Sequence, residues 1–127
     1  MTCNALGFDD YGNLRVNKSQ DTEGTFPLPS TYDFTGYTGE LQIRATEGAA
    51  SALLTVTETP NGNGSVITYS GPNIILLIKA ADLATLPNAT DTDEPWEGVY
   101  QWVNTDPDGL VTQFCAGALI AEKGVVR

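Results

Sequence analysis

From Gly39 to Ala45, apolar and polar positions alternate: Leu41, Ile43 and Ala45 fall on one side, Glu40, Gln42 and Arg44 on the other. A period of two is what a strand with one buried face requires. Thr46-Glu47-Gly48 then supplies a turn, and a second apolar run from Ala52 to Val56 follows, rich in Thr and Val. Two such runs joined by a short Gly-containing loop predict a β-hairpin. Farther on, Pro60-Asn61-Gly62-Asn63-Gly64-Ser65 is a turn signal, because Asn-Gly pairs tolerate positive φ. A strand is predicted from Ser65 to Tyr69, a break at Gly71-Pro72, and a second strand from Asn73 to Ile78. The latter is apolar throughout, and its β-branched isoleucines favour strand over helix. Lys79 to Leu86 is the helical candidate, a turn or two stopped by Pro87. Glu97 to Thr105 reads as a strand and Asp106-Pro107-Asp108-Gly109 as a turn. Leu110 to Ala116 and Ala118 to Ala121 form the closing strand, broken at Gly117.

Seven to eight short strands separated by regular turn signals predict an all-β fold: an antiparallel, immunoglobulin-like β-sandwich with one short helical turn near residues 79–86. Leu41, Ile43, Leu53, Ile75, Leu77, Val103 and Phe114 are the expected core positions. Residues 1–30 have a different texture. Gly7, Gly12, Gly24, Pro27 and Pro29 punctuate a polar stretch, with room for a short strand at Asn13 to Val16 and an extended run from Thr25 to Pro29. The expectation is an extended N-terminal arm over 1–30 and a sandwich domain over 31–127. Leu14, Val16, Phe26 and Leu28 are apolar residues in that otherwise polar arm, which suggests a segment that gains order by packing on a neighbour.

Tyr100 and Trp102 lie two apart on one strand and share a face, with Trp96 just upstream and Val99 and Val103 opposite. Aromatic residues bury the larger area, so the Tyr100–Trp102 face is expected in the core or at a subunit interface. An exposed aromatic strip of this kind could instead stack on sugar rings, as carbohydrate-binding modules do. Trp96 and Tyr100 join the four arm residues as candidate assembly contacts.

At 127 residues the chain fits a single domain large enough to bury a core. It carries 6 basic and 16 acidic residues, a net charge of −10, which repels phosphate backbones and argues against nucleic acid as a partner. Histidine is absent, and with it the commonest general base and metal ligand. The longest purely apolar run, Ile74 to Ile78, is too short to span a bilayer, so no membrane partner is expected. Cys3 and Cys115 are the two cysteines, and no secretory signal opens the sequence. The reading is a chain made in a reducing cytoplasm, without a Cys3–Cys115 disulfide and with Cys115 as an inert buried thiol beside Phe114.

Three segments imitate sites. Asn104 to Gly109 resembles the opening of an EF-hand loop but places Cys115 where the bidentate Glu belongs, so a hairpin turn is expected. Asp91, Asp93, Glu94 and Glu97 crowd one loop, with Asp106 and Asp108 further on. Such carboxylates could bind Ca²⁺ or act on a glycosidic bond, but nothing fixes their separation, and a solvated acidic loop is expected. Asn88-Ala89-Thr90 fits the glycosylation acceptor pattern, which has no use without a secretory route. No catalytic residue, metal or cofactor is expected.

Phe34-Thr35-Gly36-Tyr37-Thr38, then Leu41-Gln42-Ile43-Arg44, Leu83-Ala84-Thr85-Leu86-Pro87, the Tyr-containing strand, the Pro107-Asp108-Gly109 turn and a terminal Val125-Val126-Arg127 recur in this order. Together they resemble small virion proteins of tailed bacteriophages, whose Leu-Thr-Gly-Tyr-Thr opening leads to a strand ending Gln-Ile-Arg and whose chain closes on Val-Thr-Arg. Here Phe34 replaces the Leu and Val126 the Thr, and the likeness spans about residues 32 to 127. The resemblance implies a non-enzymatic β-sandwich component of the virion in the tail, baseplate or fibre-attachment region, made in the host bacterial cytoplasm. It would assemble as a homo-oligomer and with other virion proteins. A head-decoration or neck protein, or a carbohydrate-binding, receptor-recognition module, is the alternative.

Overall fold

In the computed structural model of the chain, residues 13–18, 20–27, 31, 33–87 and 95–122 are described. They form, in order, β1 (Leu14–Asn17), β2 (Thr22–Pro27), β3 (Thr38–Arg44), β4 (Leu54–Thr57), β5 (Val66–Ser70), β6 (Asn73–Ile78), α1 (Ala80–Leu83), β7 (Trp96–Thr105) and β8 (Val111–Glu122). One sheet has five strands in the order β1-β8-β7-β3-β4; the other has three, β2-β6-β5. The two sheets make a sandwich, as the all-β pattern predicts. Every pairing is antiparallel except β1 with β8, which is parallel and sets Leu14 beside Leu119 and Val16 beside Ala121.

The core forms where the inner faces meet. Leu41, Ile43, Val56, Ile67, Ile74, Leu76, Ile78, Trp102 and Leu119 are all essentially inaccessible. At the centre Phe26 of β2 meets Trp102 of β7 and Phe114 of β8 edge to face, with ring centroids 5.4 Å apart in both cases. Trp102 and Phe114 are themselves 5.0 Å apart. A register shift between Trp102 and Val103 leaves Phe114 as the extra residue of β8. Bulges of this kind re-aim a side chain, and here Phe114 packs against the core with its neighbours Phe26 and Trp102.

The structure corrects the division at residue 30. β1 adds an edge to the five-stranded sheet and β2 an edge to the three-stranded one, so residues 13–27 belong to both layers of the sandwich. Leu14, Val16 and Phe26 are buried in the same core as Leu41 and Ile43, where no neighbouring molecule can reach them. The physical reason is sheet completion: each strand finds backbone partners and a place for its apolar side chains within the chain. Leu28 lies outside the described residues.

Several core assignments also shift. Leu41 and Ile43 are buried as the alternation predicts, and Phe114 is half-buried, packed against the core. Leu53, however, is 42% exposed, and Leu54 takes the inner position because it pairs with Ile43. On β6 the inner residues are Ile74, Leu76 and Ile78, while Ile75 and Leu77 are only half-buried. On β7, Tyr100 and Trp102 point inward and Val103 lies on the other face, half-buried. Cys115 is buried, but it is disulfide-bonded rather than a free thiol. The sequence holds one other cysteine, Cys3, outside the described residues.

Candidate functional site

The outer face of the five-stranded sheet carries a polar trough. Strand alternation turns Glu40, Gln42 and Arg44 of β3 outward, with Gln101 of β7 directly opposite Gln42 and Ala116 of β8 opposite Gln101. Long amides on two strands beside small residues, Ala116 and Gly117, on the third leave a trough of about 420 Å³, walled by Arg44, Glu47 and Gln113.

Its polar groups hold one another in place. Gln42 donates its amide to Glu40 Oε1 at 2.7 Å, and Gln42 Oε1 accepts Arg44 Nη2 at 2.7 Å and Arg44 Nε at 3.2 Å. Arg44 Nη1 is tied to the Ala49 carbonyl at 2.7 Å, and Gln101 donates to Gln113 Oε1 at 3.0 Å. Amides and a guanidinium fixed in this way present donors and acceptors without further loss of side-chain freedom on binding. These groups recognise hydrogen-bonding partners. They include no nucleophile paired with a base.

A second polar constellation ties the loop before β5 to α1. Asp82, 6% exposed, accepts hydrogen bonds from the Asn61 and Asn63 amides, both at 2.7 Å, and from the Ser65 hydroxyl. Ser65 Oγ in turn accepts the Lys79 backbone N–H at 2.9 Å. Burial pushes the Asp82 carboxyl up, but the three hydrogen bonds from Ser65, Asn61 and Asn63 outweigh it and hold the group below its ordinary value. With every partner supplied by the protein, this constellation serves as a latch.

At one end of the sandwich the signature residues around Gly36 come together. Gly36 has φ +83° and lies against Pro107, so the Phe34–Tyr37 turn rests on the β7–β8 hairpin. Phe34 packs edge to face on Tyr37 at 5.0 Å and lies 6.0 Å from Tyr69. Gly39 faces Tyr69 Oη so closely that a Cβ has no room, and that hydroxyl donates to Asn104 Oδ1. Burial pushes the Tyr69 phenol up to about 12. The buried Trp102 indole N–H lies near enough to Tyr69 to oppose that rise, yet no acceptor among the described residues meets it with normal hydrogen-bond geometry.

The other sequence-derived candidates separate. Trp96 is half-buried against the core with its ring over Gly98, and Tyr100 is buried, so these two make no exposed aromatic strip with Trp102. Asn104 to Gly109 is a hairpin turn in which Asp106 Oδ1 accepts the backbone N–H groups of Asp108 and Leu110, at 2.9 and 2.8 Å. Asp91, Asp93, Glu94 and the Asn88–Thr90 triplet lie outside the described residues. Among the described residues, no three His, Cys, Asp or Glu side chains are grouped to hold a metal ion, and no helix is long and apolar enough to cross a membrane. The polar half of the β3 alternation contains Gln42 and Arg44, but nothing in the sequence marks them as lining one depression with Gln101 and Gln113. Leu110 and Val111 are also exposed, 66% and 59%, beyond the Pro107–Gly109 turn.

No known family model matches the chain, and no curated protein matches it.

Proposed function

We propose that the chain is a non-enzymatic structural component of a tailed-bacteriophage virion, in the tail, baseplate or fibre-attachment region. It joins copies of itself and neighbouring virion proteins through the outer face of its five-stranded sheet. The observation that carries this reading is where the signature residues fall. Phe34 to Thr38, Leu41 to Arg44 and Pro107 to Gly109 lie together as a turn, the strand paired with β7 and the β7–β8 hairpin turn, while Leu83 to Pro87 falls at α1 and Val125 to Arg127 outside the described residues. Adjacency of these three segments supports the likeness as one of sandwich construction. The trough and its fixed amides supply a polar contact face, the kind of surface that sets register between subunits. The disulfide at Cys115 suits a particle that is made in a bacterial cytoplasm and then persists in an oxidising medium.

Gln101→Lys and Ala116→Arg, both on exposed positions of the trough, test this directly. They are expected to leave the melting temperature unchanged and to exclude the chain from assembled particles. Full incorporation of both variants would remove the trough from the assembly surface. Carbohydrate recognition draws on the same amides, but burial of Tyr100 and Trp102 takes away the stacking platform that such modules use.

A further inference from the structure

The loop before β5 holds two chemically identical Asn-Gly pairs, Asn61-Gly62 and Asn63-Gly64, two residues apart. Asn-Gly is the dipeptide in which the following backbone nitrogen most easily reaches the side-chain carbonyl, because glycine has no Cβ to obstruct it. The surroundings of the two pairs differ. Asn61 Oδ1 accepts two backbone N–H groups, from Asn63 and Ser65, each at 3.0 Å. Paired donors on a carbonyl oxygen stabilise the oxyanion formed when its carbon is attacked. The Gly62 N–H makes no hydrogen bond among the described residues, and Gly62 is exposed, so its nitrogen is free to lose a proton and attack. At the second pair, Gly64 N–H is committed to the Asn61 carbonyl at 3.0 Å, and Asn63 Oδ1 has no donor among the described residues.

We infer that Asn61 is a site of spontaneous deamidation, selected over Asn63 by the folded loop, and that its conversion opens the Asp82 latch. Gly62 N gives its proton to hydroxide and bonds to Asn61 Cγ. The Cγ–Nδ2 bond breaks, and the nitrogen leaves as ammonia after taking a proton from water. The succinimide then adds one water to give aspartate or isoaspartate, so the net change is amide plus water to acid plus ammonia. The Asp82 carboxylate, 2.7 Å from Nδ2, favours the protonated nitrogen as it departs. Afterwards a carboxylate stands where the donor was, and two like charges face each other in the latch.

The test compares the two residues in one molecule. Native protein is held at mildly alkaline pH, a second sample is held in concentrated urea, and both are followed by peptide mapping with mass spectrometry. In urea the two pairs are expected to convert at similar rates. In the native protein Asn61 is expected to convert at least about tenfold faster than Asn63, a modest share of what one oxyanion donor contributes in a preorganised site. The acidic species isolated by ion exchange is expected to melt several degrees below the parent. A native ratio no greater than the urea ratio, or protection of Asn61 in the native protein, would overturn the selection. An acidic species that melts with the parent would overturn the coupling to Asp82.

Discussion

Phe26→Ala removes the one aromatic ring that the three-stranded sheet sends into the central triangle. Phe26 is buried and meets Trp102 and Phe114 edge to face at 5.4 Å. Truncating a buried Phe to Ala costs about 3–5 kcal/mol through lost transfer energy and the cavity left behind. The two edge-to-face contacts, worth about 0.5–1.5 kcal/mol each, place this site toward the upper end of that range. For a domain of this size each kcal/mol shifts the melting temperature by about 3–6 °C, so a loss of about 4–5 kcal/mol corresponds to a fall of about 12–30 °C. Urea unfolding followed by tryptophan fluorescence reads the same loss as a lower midpoint at unchanged slope. Phe26→Leu, which keeps most of the volume, is expected to lose less than half as much. A Phe26→Ala loss below about 1 kcal/mol, the size of an ordinary substitution, would refute the placement of β2 in the core and restore a free arm.

Other perturbations follow from the same geometry. A chain beginning at Ser30 lacks an edge strand of each sheet together with Leu14, Val16 and Phe26, and circular dichroism with thermal melting is expected to show no cooperative sandwich. Leu54→Ala is expected to cost about 2–4 kcal/mol and its neighbour Leu53→Ala less than about 0.5 kcal/mol, a contrast in urea midpoints that reads the β4 register. Asp82→Ala strands the buried Ser65 hydroxyl and the Asn61 amide, for a loss of about 2–4 kcal/mol at neutral pH. Because the folded carboxyl titrates below 3.8, the unfolded chain takes up the proton first as pH falls. The advantage of wild type over Asp82→Ala should therefore shrink through and below that pH in urea titrations. Gly36→Ala, at φ +83° with Pro107 Cγ 3.0 Å from the added Cβ, is expected to exceed the backbone cost of about 1–2 kcal/mol. Gly109→Ala, at φ +91° in open space, measures that backbone cost alone.

Strict alternation was the most legible signal. β3 carries one polar and one apolar set, and its burial follows the pattern residue by residue. β6 is apolar on both sides, so its own composition has no phase. That phase comes from its partners: the two-residue Gly71-Pro72 connection pairs Ser70 with Asn73 and Tyr69 with Ile74, which places Ile74 and Leu76 on the inner face with Ile67. The same logic fixes Leu54, since it pairs with Ile43 and opposite residues share a face. Hairpin geometry thus held information that single-strand periodicity lacked. The fate of residues 13–27 could not be read locally, because β1 pairs with the last strand and β2 with the sixth. Long-range partners leave no mark in a short polar segment. Polar trough residues are illegible for a related reason: an outward Gln looks the same whether it meets water or a ligand, and only the small Ala116 and Gly117 across the sheet make a depression of it.

The virion assignment meets its most direct test in the composition of the particle. Phage particles are purified to homogeneity from lysates of cells carrying the gene in its natural context and then quantified by mass spectrometry against the other virion proteins. A structural component is expected at a fixed, integer-related stoichiometry that survives gradient purification and high salt. Complete, infectious particles from which the chain is absent would contradict the account.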